Sequence, residues 1–195
     1  MTIPIGVLAL QGDVAEHLAM LEGCGAEPIA VRHAAQLQGL HGLIIPGGES
    51  TTIGKLLSLF DLLQPVKDRI SDGMGVFGTC AGAILLAKTA VHHDGRIAEQ
   101  PLLGAMDTTV RRNAFGRQVD SFEADLDVRG ITGPPMKAVF IRAPVFDRVG
   151  EGVEILATVG DTIVVCREGR LLASSFHPEL TADPRLHELF VEMVT

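Results

Sequence analysis

The first half of the chain alternates short apolar runs with segments of helical spacing. Residues 3–12, IPIGVLALQG, form an apolar run that ends at glycine. In the next stretch, DVAEHLAMLEGCG (13–25), Val14, Leu18 and Leu21 recur at helical spacing, with Asp13 placed to cap the start and Gly25 to end it. PIAV (28–31) and GLIIPGG (42–48) read as further strands, and STTIGKLLSLFDLLQPVKDRI (50–70) as a helix reaching at least Pro65. GVFGTC (75–80) predicts a strand and AGAILLAK (81–88) a helix. Strands that are apolar throughout must be covered on both sides, so the alternation predicts a parallel sheet between two helical layers.

From about residue 105 the period changes to two. DTTVRR, SFEADL, MKAVFIRA, VEILATV, TIVVCR and LLASSF read as extra, partly antiparallel strands. A last helix, DPRLHELFVEMV (183–194), has Pro184 near its first turn, where a missing N–H costs nothing. Residues 91–101 and 129–135 read as surface loops. The expected fold class is therefore α/β: a three-layer arrangement with a mostly parallel central sheet, helices on both faces and additional antiparallel strands. With no repeat or linker in 195 residues, one domain over 1–195 is expected.

Composition narrows the partners. Sixteen Lys and Arg stand against 24 Asp and Glu, a net charge of −8 that repels phosphate backbones and anionic membranes. The chain has no Trp and no Tyr on which bases would stack, so nucleic acid is not expected as a partner. Cys24, Cys80 and Cys166 are widely spaced, with no zinc-type cluster, which fits a reducing compartment and predicts neither a metal nor a cofactor. The N-terminus lacks the charged region of a signal peptide, and no apolar run reaches the ~18 residues of a membrane span. A soluble, cytoplasmic protein without membrane contact is expected.

Cys80 changes the picture from fold to chemistry. Gly78, Cys80 and Gly82 have the spacing of a nucleophile elbow, in which a strained strand-to-helix turn exposes the side chain and its neighbours must be small. A helix beginning directly after the thiol sets its positive end beside the sulfur. The same residues also suit an inert, buried cysteine. A nucleophile needs a base and the base an orienting group. Of the seven histidines, only His177 directly follows an apolar strand and precedes an acid, in LLASSFHPEL. Pro178 pushes His177 toward an extended conformation, from which Glu179, two residues on, reaches the same side. The plainer reading of His177 is a helix-start or surface histidine. His92 and His93 read as solvated loop residues, and Cys24 and Cys166 as packing.

An acyl-transfer site also needs donors for an oxyanion. LIIPGGEST ends a strand in Pro46-Gly47-Gly48 and opens a helix with Glu49-Ser50, which serves either that purpose or a simple capped turn. TTVRRNAFGRQ concentrates Arg111, Arg112 and Arg117. Adjacent strand residues face opposite ways, so at most one of Arg111 and Arg112 lines a given pocket, where a guanidinium suits a small carboxylate.

Taken together, LALQG (8–12), PGGEST (46–51), GTCAG (78–82), RRNAFGRQVDSFEADL (111–126), FIRAP (140–144) and SFHPELT (175–181) resemble the triad-type (class I) glutamine amidotransferases. Within them, the pattern is similar to the glutaminase-subunit family of pyridoxal 5'-phosphate synthases. The resemblance implies Cys80, His177 and Glu179 as catalytic residues. It implies L-glutamine binding through Gly48, Glu49 and Ser50, through Arg112, which immediately precedes Asn113, and through Ile141 and Arg142. Backbone N–H groups of Gly48 and Ala81 would form the oxyanion hole. It further implies ammonia delivery to a TIM-barrel synthase subunit, in a hetero-oligomer that makes pyridoxal 5'-phosphate. Two rivals remain open: a free-standing cysteine hydrolase such as a γ-glutamyl hydrolase, and a non-enzymatic binding or redox-sensing module.

Overall fold

The computed structural model describes residues 2–112 and 121–195. Its elements in chain order are β1 (Pro4–Leu8), α1 (Val14–Gly23), β2 (Glu27–Val31), β3 (Gly42–Ile45), α2 (Ser50–Leu59), α3 (Leu63–Ser71), β4 (Gly75–Thr79), α4 (Ala81–Leu86) and β5 (Ala87–Val91). They continue with β6 (Met106–Arg111), β7 (Ser121–Leu126), β8 (Met136–Ile141), β9 (Val145–Val149), β10 (Glu154–Val159), β11 (Thr162–Glu168), β12 (Leu171–Ser174) and α5 (Arg185–Val194).

Among the described residues, the main sheet runs in the order β2-β1-β3-β4-β12-β11-β9-β6-β5, with β10 added beside β11. The stretch from β2 to β12 is parallel throughout, and β11 then turns the sheet antiparallel. β7 and β8 form a separate antiparallel pair. The expected α/β class, with added antiparallel strands, is the one observed.

Alternation along the strands sorts the core into two layers. Leu43, Ile45, Val76 and Ala173 point to the side covered by α2, α3 and α4. Ile44, Phe77 and Leu172 point to the other, where Leu21 of α1, Leu186 and Phe190 of α5 and Phe140 of β8 close the layer. α5 approaches the sheet closely because glycine stands beneath it: a Cβ on Gly75 would come within 2.3 Å of Val194, and one on Gly42 within 2.8 Å of Phe190.

Several local expectations need correction. The segment 50–70 is two helices, broken at Asp61, whose φ is 52°, and Pro65 lies in the first turn of the second. A proline there removes no helical hydrogen bond, so it starts a helix where it was expected to limit one. The segment 81–88 is helical only to Leu86, after which Ala87 turns extended and begins β5. β9 was not among the expected strands: of its five residues only Phe146 is buried, so the alternation is weak. Asp13 stands at the N-cap of α1 without capping it through its side chain. Among the described residues no helix is long and apolar enough to cross a membrane.

Candidate active site

The chain leaves β1 for β2 on one side and returns to β3 on the other, so the parallel strands open a crevice at their C-terminal ends. Four segments meet there: Gln11-Gly12-Asp13 after β1, Pro46-Gly47-Gly48 after β3, Cys80 after β4 and His177 after β12.

Cys80 turns the chain from β4 into α4 with φ 48° and ψ −101°, a region that a residue with a Cβ occupies at a cost of about 1–3 kcal/mol. Its N–H donates to Ser174 O at 2.8 Å, tying the turn to β12. The flanking glycines are sterically required. A Cβ on Gly78 would lie 2.5 Å from the Gly82 carbonyl, and one on Gly82 would lie 2.0 Å from Ile45 O. The thiol is buried but lies at the floor of a cavity of about 370 Å³.

His177 is fixed from both directions. Its backbone N–H donates to Val139 O at 2.9 Å, and Pro178 opens a 3-10 turn over Pro178–Leu180. That turn, rather than a continued strand, brings Glu179 to the ring: Nδ1–H donates to Glu179 Oε1 at 2.7 Å. The ring and the Cys80 thiol line the same cavity, near enough for the thiol to favour a charge on the ring. Burial opposes a charge on His177, but its contacts with Cys80 and Glu179 outweigh that and raise its pKa to about 10. The Glu179 side chain is fully buried; burial pushes its carboxyl up and the His177 ring pulls it back.

A second carboxylate also reaches the ring. Asp13 Oδ2 lies 3.2 Å from the same Nδ1, a contact absent from the expectations drawn from sequence. The atoms offered by Asp13, His177 and Glu179 lie within 4.8 Å of one another, the one group of that kind among the described residues. Two ligand atoms on one zinc ion would stand about 3.3 Å apart. The 2.7 Å separation of Nδ1 and Oε1 is a hydrogen bond instead.

The loop after β3 interlocks with the loop after β1. Asp13 N–H faces Gly47 O at 3.4 Å, Gln11 Oε1 accepts from Glu49 N–H at 2.8 Å, and a Cβ on Gly12 would fall 1.8 Å from Gly47 O. A Cβ on Gly47 would come within 2.3 Å of the His177 ring, and Gly48 has φ 149°. Glu49, not Ser50, caps α2: its Oε2 accepts from Thr52 N–H at 2.7 Å. Its Oε1 accepts from Arg112 Nη2 at 3.0 Å. Burial works against the Glu49 charge, yet the Thr52 and Thr51 hydrogen bonds and Arg112 hold its carboxyl below the usual range. Ser50 is buried and donates to Gln100 Oε1 at 3.2 Å.

The two arginines part as strand geometry requires. Arg111 pairs with Asp147, while Arg112 lines the cavity. Gly48, Glu49, Ser50, Cys80 and Ala81 line the same cavity, as do Ile141, Arg142 and His177. Glu179 sits behind the wall. Arg142 has φ 44°, and the Ile141 carbonyl is 4.0 Å from Cys80 Sγ. Arg117 and the rest of NAFGRQVD (113–120) lie outside the described residues. Asp13 and Gln11 also line the cavity, and both were missed.

The SNO glutamine amidotransferase family model matches residues 7–195. A protein of Frankia alni described as pyridoxal 5'-phosphate synthase subunit PdxT is 59% identical over 190 residues, covering 97% of this chain and 94% of that one. One of Herpetosiphon aurantiacus with the same description is 58% identical over 188 residues, covering 96% and 98%. A crystal structure described as a glutamine amidotransferase superposes with a TM-score of 0.91 at 55% identity, covering 97% of this chain and 98% of its own. The PurLQS structure from Thermotoga maritima, at 14% identity and a TM-score of 0.69, shares the fold. The chain belongs to the SNO glutamine amidotransferase family.

Proposed function

We propose that the chain, acting as one domain over 1–195, hydrolyses L-glutamine to glutamate and ammonia and passes the ammonia to a pyridoxal 5'-phosphate synthase subunit. The observation that carries this reading is the convergence of the Cys80 thiol and the His177 ring at one cavity, with the ring hydrogen-bonded to the buried Glu179 carboxylate behind it. Family membership and relatives described as pyridoxal 5'-phosphate synthase subunits supply the substrate and the partner.

Cys80 gives its proton to His177, and the thiolate attacks the side-chain carboxamide carbon. Backbone N–H groups of Gly48 and Ala81 receive the developing oxyanion. As the tetrahedral intermediate collapses, the C–N bond breaks and His177 protonates the departing nitrogen, which leaves as ammonia. Water, deprotonated by His177, then attacks the γ-glutamyl thioester; the C–S bond breaks and glutamate is released. Glu179 keeps the His177 ring oriented and stabilises its charged form. Glu49 and Arg112, opposite charges at one wall of the cavity, match the α-ammonium and α-carboxylate of an amino acid. Ser50, Ile141 and Arg142 complete the glutamine site. The partner is a TIM-barrel subunit, and the pair works in the cytoplasm.

The test mixes the chain with that synthase subunit and follows glutamate release and pyridoxal 5'-phosphate formation. Cys80→Ala and His177→Asn should each abolish glutamine-dependent synthesis and leave ammonia-dependent synthesis intact. Loss of both activities would refute the reading, and full turnover on γ-glutamyl peptides without the partner would favour the free-standing hydrolase.

A further inference from the structure

Behind the Glu179 carboxylate lies a buried polar group that the proposed mechanism does not use. His17, on α1, and His187, on α5, are both fully buried. His17 Nδ1 is 2.9 Å from His187 Nε2. On its other side, His17 Nε2 lies 3.2 Å from Thr79 Oγ1 and 3.5 Å from Glu179 Oε2. Among the described residues, two atoms at the ends of this group have no hydrogen-bond partner: Glu179 Oε2 and His187 Nδ1.

The unpartnered atoms decide where the protons sit. Burial first, then His187 and His177, hold His17 well below its ordinary pKa, and burial pushes His187 to about 4, so each ring is neutral and carries one proton. With the His17 proton on Nδ1, a lone pair would face the Glu179 carboxylate, and His187 would keep a buried N–H with no acceptor. With it on Nε2, an N–H faces Glu179 Oε2 and Thr79, while His187 Nε2–H donates to His17 Nδ1. The atoms then left over are both acceptors, the His187 Nδ1 lone pair and Glu179 Oε2 at its long contact, and orphaned acceptors are tolerated better than orphaned N–H groups.

We propose that His17 is a positioning residue for this site: its Nε2–H faces the second oxygen of the Glu179 carboxylate and holds that carboxylate turned toward His177, while His187 fixes the His17 tautomer. At 3.5 Å the contact is longer than a formed hydrogen bond, and such contacts at reacting sites tighten when substrate binds. The groups facing Glu179 are His177 from its own turn, Asp13 at the N-cap of α1 and His17 within α1, while Thr79 of β4 and His187 of α5 meet the His17 ring. Asp13 and His17 are one helical turn apart, so α1 delivers both to the same pair. The proposal rests on the reading of Cys80, His177 and Glu179 as catalytic.

The test compares wild type, His17→Leu and His17→Gln, each as the full chain in complex with the synthase subunit, by kcat and KM for glutamine across pH. His17→Leu should lower kcat roughly 10- to 100-fold, the loss of one hydrogen bond to a charged group, with KM nearly unchanged. Without the donor Glu179 protonates more readily, so the acidic edge of the profile should move up by about one pH unit. His17→Gln, whose amide N–H reaches a similar place, should recover most of both losses. An unchanged profile in His17→Leu, or equal impairment in both variants with no movement of the acidic edge, overturns the proposal. If His17→Leu does not fold, nitrogen-labelled histidine NMR of the wild-type chain decides: a His17 proton on Nε2 supports the proposal and one on Nδ1 overturns it. Failure of the underlying reading shows separately, as full glutamine turnover by Cys80→Ala.

Discussion

Glu179 is a buried carboxylate whose one formed side-chain hydrogen bond among the described residues is to the His177 ring. Replacing it by glutamine removes the charge that, with Cys80, raises the His177 pKa to about 10 against burial. That pKa then falls toward the ordinary 6.5, and the charged ring is lost at lower pH. Glu179→Gln should therefore move the alkaline edge of glutaminase activity down by roughly 1–3 pH units, read from the pH profile of kcat. An unmoved edge would mean that Glu179 does not stabilise the charged ring. At this scale the sequence was most legible where chemistry is local: an elbow cysteine between glycines, and an acid two residues after a histidine. Asp13 reads in the sequence only as a helix cap and His17 is not singled out, because their contacts depend on how α1 packs on the sheet. Their signal was present as a polar pair at i and i+4 on an otherwise apolar helical face.

Among the elements, β3, β4 and α4 are packed so closely that two glycines stand where no side chain fits. A Cβ on Gly82 would meet Ile45 O at 2.0 Å, a backbone atom that cannot swing aside. Gly82→Ala should lower unfolding free energy by about 1–3 kcal/mol, measured as a reduced urea midpoint, because β3 or α4 must shift to admit the methyl group. A variant as stable as wild type would show that the helix start is looser than its contacts indicate. Element type was readable where apolar runs were long and bounded by glycine, as in β1, β3 and β4. It failed where a break depends on one residue's conformation: Asp61 divides α2 from α3, and Ala87 ends α4. The antiparallel half was legible as strands, but its order across the sheet was not, since that order is set by pairings far apart in the chain.

For the molecule as a whole, the buried histidines impose opposing pH dependences. His187 has its pKa depressed to about 4, so the stability it contributes is present above 6.5 and is lost as the pH falls toward about 4; His17, also depressed, acts in the same direction. His177 has its pKa raised, so its contribution is full below 6.5 and is lost as the pH rises toward about 10. Denaturant midpoints should therefore peak near neutral pH. His187→Leu should flatten the acid side, removing a loss on the order of 2–3 kcal/mol between about pH 6.5 and 4. A variant that keeps the full acid slope would assign that slope to other groups.

β12 comes last of the strands in the chain yet sits between β4 and β11. Ribosomal synthesis thus produces almost the whole sheet before the piece that joins its halves, and until then both halves present unpaired backbone to the surroundings. A messenger stopping before Leu171 would yield a sticky, aggregation-prone product rather than a feebly working one, and nascent chains depend on shielding until the final strand emerges.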